Sequence, residues 1–437
     1  MIYNESKFNS EWDTLPLNKL GEFKRGKSKH RPRNDMKLFR DGKYPLVQTG
    51  EIKAANLFIN SHNATYNEVG LKQSKLWNAG TLCITIAANI AETGILAYPM
   101  CFPDSCVGFV ADKQMTSELF MHYVFTYIRK SIQDSSLGSI QDNINIDLLT
   151  SLDFKIPKKN IQDSIVDLLV TIDTKVETNN RINTELEEMA KAIYNYWFVQ
   201  FDFPNEEGKP YKASGGEMEY NEELKSEIPE GWEVKSLYDI ATYTNGLAMQ
   251  NHRPTTEDFL PVIKIKEMNE GYSKATEFAK SDFAGDYIVS EGDVLFSWSA
   301  SLNVMLWADK KGALNQHIFK VTSKKYPRYY FYHQIVNYLN HFKLMAANRK
   351  TTMGHITKDH LTESRIVVPN DNLLIEKCGV QVEEILDLVV KNKMQTHELI
   401  TLRDFLLPLL MNGQVKVKEE REHLLMAAEP EAEYKIK

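Results

Sequence analysis

Cysteine is scarce, with four in 437 residues (Cys83, Cys101, Cys106 and Cys378) and no Cys-x-x-Cys pair. That excludes a disulfide framework and a zinc knuckle. Long hydrophobic runs are lacking too, and none approaches the roughly 18 residues of a membrane span. The opening residues 1–13 are polar and acidic where a signal peptide is basic and then apolar. A cytoplasmic protein without membrane association is the expectation. Catalytic signatures are missing as well. No Gly-x4-Gly-Lys-Ser/Thr loop, glycine-rich dinucleotide fingerprint, Gly-x-Ser-x-Gly elbow or His-Glu-x-x-His is present. Without a single Pro-Pro dipeptide, the Asn/Asp-Pro-Pro-aromatic motif of amino-methyltransferases is excluded. His355 and His360 stand five apart, the wrong spacing for one helical face, with no acidic partner. Phe102-Pro103-Asp104 has the look of a nuclease start, but no acidic-x-Lys strand follows. The chain reads as non-catalytic.

What is present is ordinary in bulk and uneven in detail. The 43% apolar and 25% charged residues suit a soluble globular protein, and the length predicts two to four domains. Fifty-two Lys and Arg against 59 Asp and Glu leave a net charge of −7, which argues mildly against a nucleic-acid partner. Yet residues 19–43 hold ten basic against three acidic side chains, while residues 205–230 hold eight Glu against three Lys. An acidic total conceals a local basic surface.

The chain is also a repeat. Trp12, Leu17 and Leu20 recur as Trp232, Leu237 and Ile240, and Gly26 as Gly246, all offset by 220. Pro45 and Glu51 recur as Pro261 and Glu267, offset by 216; Gly80 recurs as Gly292, offset by 212. Ile144, Asp147, Leu149, Phe154 and Pro157 match Ile356, Asp359, Leu361, Ile366 and Pro369, again at 212. The offset shrinks in steps, as changes in loop length produce. Each half opens with short β-rich runs between turn signals, including Leu82-Cys-Ile-Thr and Val294-Leu-Phe-Ser, followed by a helical run. That predicts an α+β module in each half.

A long helix follows each module. One seam reads Ile165, Ile172, Asn179, Leu186, Ile193, and a second Leu168, Lys175, Ile182, Met189, Tyr196. The first recurs at offset 213 as Cys378, Ile385, Asn392, Leu399, Leu406. Apolar residues alternating at three and four are coiled-coil spacing. The alternative is two amphipathic helices on separate local cores. The repeated Asn179 and Asn392 favour the coiled coil, where a polar seam residue costs stability and selects one register. Such helices pair antiparallel or splay apart. Residues 165–196 span about 46 Å at ~1.5 Å per residue, longer than the ~34–36 Å turn of B-DNA.

Binding candidates cluster in loops. Lys24, Arg25, Lys27, Lys29, Arg31 and Arg33 form a basic stretch broken by Gly26 and Pro32, suited to phosphates and one or two base edges; otherwise it is a solvated loop. The matching stretch of the second half is amide-rich, with Asn245, Gln250, Asn251 and Arg253, and Asn and Gln pair bidentately with adenine. Two modules of one fold with different loop chemistry are what reading two sequences requires. Ser139, Gln141 and Asn143, and opposite them Arg349, Lys350 and His355, sit in polar loops before the long helices. The aromatic-rich stretch holding Trp197, Phe198, Phe201 and Phe203 either fills a local core or anchors a partner.

In this order of parts the chain resembles the specificity subunit of type I restriction-modification systems. The resemblance rests on Trp-x4-Leu-x2-Leu/Ile opening each half and on Gly138-Ser-x-Gln-x-Asn-Ile144. It rests further on the Ile-Pro and Val-Val-Pro approaches to the long helices and the exit Trp197-Phe198-x2-Phe201-x-Phe203-Pro204, and it covers residues 12–415. The second half departs from it, with Thr351-Thr-Met-Gly-His355 in place of the Gly-Ser-x-Gln-x-Asn pattern. The resemblance implies target recognition domains at 1–157 and 231–369, spacer helices at 158–200 and 370–415, an acidic linker at 201–230 and a tail at 416–437. It implies recognition of a bipartite, asymmetric double-stranded DNA site, one half per domain, by a chain without catalytic activity. Two adenine methyltransferase subunits and two ATP-dependent translocase-nuclease subunits are the implied partners, with S-adenosylmethionine, ATP and Mg on them and no cofactor on this chain. Trp197, Phe198, Phe201 and Phe203 are expected to meet the methyltransferase. A protein-binding scaffold indifferent to DNA is the competing reading, and a nuclease with an unfamiliar site a third.

Overall fold

The computed structural model describes residues 2–87, 90–137, 146–348 and 355–417. Each module is built around one central strand that separates two cores. In the first module this is Leu82–Thr85, inside a five-stranded sheet ordered Gly21–Arg25, Cys106–Ala111, Leu82–Thr85, Thr93–Leu96, Phe58–Ile59. Side chains alternate across a strand. Leu82 and Ile84 therefore face the helix Glu118–Leu137 and its Phe120 and Val124, while Cys83 faces Trp77, Met100 and Phe102. In the second module Val294–Ser297 does the same. Val294 and Phe296 pack with Ile335 and Phe342 of the helix Arg328–Asn348, and Leu295 packs with Trp307 and Ile318. Its sheet runs Thr242–Asn245, Ile318–Thr322, Val294–Ser297, Asn303–Leu306. A further four-stranded sheet covers the second core of each module.

The repeat extends to local detail. Gly80 and Gly292, in the turns that enter the central strands, are left-handed at φ +81° and +80°. At the helices Thr49–Ala54 and Ile265–Glu270 the first-turn Glu51 or Glu267 accepts from the backbone N–H of the residue before the helix, Gln48 at 3.2 Å or Lys264 at 3.3 Å. A two-stranded ribbon closes each module, Asp13–Pro16 with Asp153–Ile156 and Glu233–Ser236 with Arg365–Val368. These are two α+β modules related by an internal repeat.

The long helices run Lys159–Phe198 and Asn372–Met411, 40 residues each. They are antiparallel: Asp173 meets Arg403, Asn179 meets Thr396, and Glu187 meets Lys393. The chain folds as two compact units whose boundaries, at 177/178 and 398/399, fall inside both helices. Each helix half is built into the core beside it. In the first unit Ile165, Val166 and Leu169 join Leu407, Leu410 and Met411 under Phe120 and Val124. In the second, Ala190, Tyr194 and Phe198 join Val382, Leu386 and Val390 against Tyr329 and Tyr330.

Three expectations need correction. The seam Ile165, Ile172, Asn179, Leu186, Ile193 faces inward, but its companion is Leu169, Val176, Asn183, Ala190 and Trp197, one residue later than expected. Of the row read as companion, Leu168 packs against the first core, but Ile182, Met189 and Tyr196 lie on the outside, 36%, 47% and 39% exposed. Each helix contacts a module as well as its partner helix, so the buried stripe is wider than a two-helix seam and centred elsewhere. Second, the acidic linker 201–230 contributes a hairpin to the fold, Met218–Asn221 paired with Ser226–Pro229, whose Ile228 and Met218 cover Phe203 and Trp232. Third, Phe201 and Phe203 are buried in that local core, with Phe203 stacked on Trp232 at 5.3 Å and on Tyr211 at 4.6 Å, and Phe198 is buried in the adjoining core against Tyr330. Their rings fill the chain's own interior, and Trp197 is half-buried beside them.

Candidate nucleic-acid interface

Strand register brings equivalent positions of the two modules to one sheet corner. In the first module Arg25 pairs with Val107 and Thr85 with Cys106, so residues 25–33, 86 and 104–105 meet there. In the second, Asn245 pairs with Phe319 and Ser297 with Ile318, which brings together 245–246, 298 and 316–317. Both corners need a glycine. A Cβ on Gly26 lies 2.2 Å from the Pro103 carbonyl oxygen, and one on Gly246 lies 2.2 Å from that of Asn315. Backbone bonds repeat as well: Ile86 N donates to Ser105 O at 2.9 Å, Trp298 N to His317 O at 3.4 Å.

The side chains on these frames differ. In the first corner Asp104 organises three arginines. Arg25 Nε donates to its carbonyl at 2.6 Å, Arg33 Nη2 to its carboxylate at 2.5 Å, and Arg31 Nη2 lies 3.7 Å from the same group. Arg31 Nη1 also donates to the carbonyls of Ser28 at 2.6 Å and His30 at 2.9 Å. One carboxylate among three guanidinium groups leaves a net positive, pre-positioned surface. Lys27 and Lys29 are exposed on the same loop, and Lys24 pairs with Glu22. Lys75, not anticipated, sits 3.6 Å over the Trp77 ring; burial and then the positive charges of Lys24 and Lys27 hold its pKa below the usual lysine value. Asp104, noted only as part of a failed nuclease motif, is the residue that holds this loop.

The second corner is neutral. Trp298 Nε1 donates to Asn245 Oδ1 at 2.8 Å, and its ring lies 5.5 Å from His317, 5.5 Å from His355 and 5.8 Å from Phe319. Asn245 and His355 were expected at a site; Trp298 and His317 were not, since a tryptophan ending an apolar strand reads as core. Gln250 and Asn251 are exposed on the turn Met249–Asn251. Arg253 is held by Glu277 at 2.8 Å. The Glu277 carboxyl stays below its ordinary range because Lys264 donates to it, with Arg253 adding to the effect. Ser139, Gln141, Asn143, Arg349 and Lys350 lie outside the described residues. Asn179 is buried on the helix seam, its amide nitrogen 3.0 Å from Gln395 Oε1 and 3.4 Å from Thr396 Oγ1. Asn392 is half-buried, and its carbonyl accepts from Thr396 Oγ1 at 2.9 Å.

Among the described residues no group of three His, Cys, Asp or Glu is placed to hold a metal ion, and no helix is long and apolar enough to cross a membrane. Two modules of one fold, each with its own chemistry at the same corner and a long helix behind it, define a tandem recognition protein. A family model described as the type I restriction modification DNA specificity domain matches residues 9–188 and 229–398, and the chain belongs to that family. The type I restriction enzyme MjaIX specificity subunit of Methanocaldococcus jannaschii is 24% identical over 433 residues, covering 94% of this chain and 95% of its own. The HindI specificity subunit of Haemophilus influenzae is 23% identical over 341 residues, covering 65% and 74%. Among solved structures, the S subunit of a type I restriction-modification system from M. genitalium shares the fold, with a TM-score of 0.59 at 14% identity over 94% of this chain and 99% of that one. As a specificity subunit, the chain supplies recognition, not catalysis.

Proposed function

We propose that this chain reads a bipartite, asymmetric duplex DNA site, one half per module, and delivers two adenine methyltransferase and two ATP-dependent restriction subunits to it. The observation that carries this reading is the pair of equivalent corners with unlike chemistry, three arginines around Asp104 in one and an indole-held amide in the other. Arginine presents a charged fork to guanine O6 and N7, whereas an amide held by an indole presents a single neutral group, so the two modules favour different sequences. Phosphate contacts fall to the flanking Lys27 and Lys29, whose exposed ammonium groups make no ion pair among the described residues. S-adenosylmethionine, ATP and Mg belong to the partner subunits in this scheme. With Phe198, Phe201 and Phe203 buried, the outward row Ile182, Met189, Tyr196 and Val199 is the better methyltransferase-facing surface. An apolar row on a charged helix marks a protein contact.

The test is single-molecule methylome sequencing of a host carrying this chain and its methyltransferase, compared with a deletion of this chain. A split adenine-methylated motif that disappears with the deletion is expected. An unchanged methylome beside a demonstrably active methyltransferase would overturn the reading in favour of a scaffold indifferent to DNA.

A further inference from the structure

The amide-rich loop of the second module drew attention to Asn245, Gln250, Asn251 and Arg253, but the fold separates them chemically. Arg253 is engaged with Glu277, while Asn245 is engaged with an aromatic residue from another strand. We propose that Trp298 and His317 form with Asn245 the base-reading corner of the second module, and that Trp298 sets Asn245 as a donor toward a base edge bearing acceptors, such as purine N7, guanine O6 or thymine O4. This rests on the DNA-recognition reading above and assigns its chemistry to residues.

An indole N–H donates and never accepts. The atom of Asn245 that meets Trp298 Nε1 at 2.8 Å is therefore the amide oxygen, and the NH2 group is turned away from the indole. Asn245 itself is exposed, so that NH2 is open to a ligand. An unrestrained asparagine offers a donor and an acceptor side by side and flips between them; here the indole removes the choice.

Trp298 is a firm anchor. Its N–H donates to the His317 carbonyl and its carbonyl accepts from Ile356 N at 2.9 Å. Ser297 before it is fully buried, its hydroxyl donating to the Ser301 carbonyl at 2.6 Å. The half-buried indole and the exposed His317 ring, 5.5 Å apart, add a flat wall beside the amide, suited to the face of a base or a thymine methyl. In the first module the positions equivalent to Asn245, Trp298, Gln316 and His317 are Arg25, Ile86, Asp104 and Ser105, where Arg25 and Asp104 form the arginine cluster. One corner of one fold thus holds the variable chemistry in both copies, as a specificity position must.

The test is selection from duplexes randomised in both half-sites, using the full chain co-purified with its partner subunits. Asn245→Asp keeps an oxygen for the indole but replaces the outward donor with an acceptor. It is expected to move the preference at one position of the second half-site toward a donor-bearing edge, cytosine N4 or adenine N6, by roughly 10-fold or more. Trp298→Phe keeps a ring but frees the amide to flip, and should flatten the preference at that same position. Both variants should leave the first half-site and the gap unchanged, which also shows that they fold. A wild-type split motif that neither variant alters would overturn this assignment and spare the DNA-recognition reading. Equal weakening of both half-sites by the two variants would overturn it as well. A wild-type selection with no split motif would sink the reading and the assignment together.

Discussion

The two units use the same backbone plan and fasten their modules to the helices by opposite means. In the first unit the fastening is ionic and buried. Asp173, 2% exposed, takes Arg403 Nη1 at 2.9 Å and the Tyr123 hydroxyl at 2.7 Å, and Asn56 bridges both partners. At the matching positions of the second unit, offset by 213 in the helices, stand Leu386 for Asp173 and Ala190 for Arg403, both inside its apolar core. There the module is held by rings instead. Tyr194 lies against Tyr329, Tyr330 and His333, and the Tyr329 hydroxyl donates to the Ile375 carbonyl at 2.5 Å. Arg328 adds a half-exposed clasp to Glu383 and Asp387. The repeat preserves where an element packs and leaves free what the packing is made of.

The largest effect should come from breaking the ionic fastening. Arg403→Ala leaves the Asp173 carboxylate buried beside only a phenol and an amide, and should cost about 3–5 kcal/mol in urea unfolding. Arg328→Ala exposes Glu383 and Asp387 to water and should cost about 1–2 kcal/mol. The comparison sharpens with the double variant Asp173→Leu, Arg403→Ala, which writes the second unit's pair into the first. It should recover most of the single variant's loss, since a buried ion pair replaced by apolar residues is often neutral. A double variant as unstable as Arg403→Ala would show that the two fastenings are not interchangeable.

The next effect is one that the units share. His122 and His333, buried and offset by 211, each have a pKa lowered to about 3. Burial is the main cause in both, reinforced by Arg129 and Arg403 for His122 and by Lys191 for His333. An unfolded histidine titrates near 6.5. Below that pH the unfolded chain takes up protons that the folded chain refuses. Stability is therefore full above pH 6.5, falls as pH drops and stops falling near 3. At pH 5.5 each histidine should cost about 1.2 kcal/mol relative to pH 7. His122→Gln and His333→Gln should each flatten the dependence of the unfolding midpoint on pH. The two environments differ, because His122 Nδ1 has Thr93 Oγ1 at 3.0 Å whereas neither nitrogen of His333 has a hydrogen-bond partner among the described residues.

Smaller effects separate positioning from reading on DNA. Lys27→Ala with Lys29→Ala should weaken binding on every sequence and lower the salt slope by about 1–2. Arg33→Ala should instead relax one position of the first half-site alone, measured by the same titrations on mismatched duplexes. Smallest of all, Asn179→Leu should change stability by within about 1 kcal/mol, because Thr396 keeps its bond to the Asn392 carbonyl and Gln395 is exposed.

Much of this was legible in the chain. The matches of Trp12 with Trp232 and Gly26 with Gly246 announced two copies of one module. The three-four spacing from Ile165 announced the long helices, and the contrast between Lys27-Ser-Lys29 and Gln250-Asn251 announced unlike corners. The misreadings share a cause. Spacing marks Ile182, Met189 and Tyr196 as apolar at coiled-coil period, but which flank of Asn179 is buried depends on a module that the period does not encode. Phe201 and Phe203 are aromatic either way; only the hairpin formed by an acidic stretch covers them.

By itself the sequence determined the number of modules, their class, the helices and the loops that carry unlike chemistry. Those follow from periodicity, glycine placement and repetition, which act over a few residues or compare one half with the other. Tertiary structure alone decided that Asp104 gathers Arg25 and Arg33, that Arg403 meets Asp173 across 230 residues, and that Trp298 turns the amide of Asn245. Each joins residues on separate strands or helices, and no local preference carries information about a partner that only the folded chain brings within 3 Å.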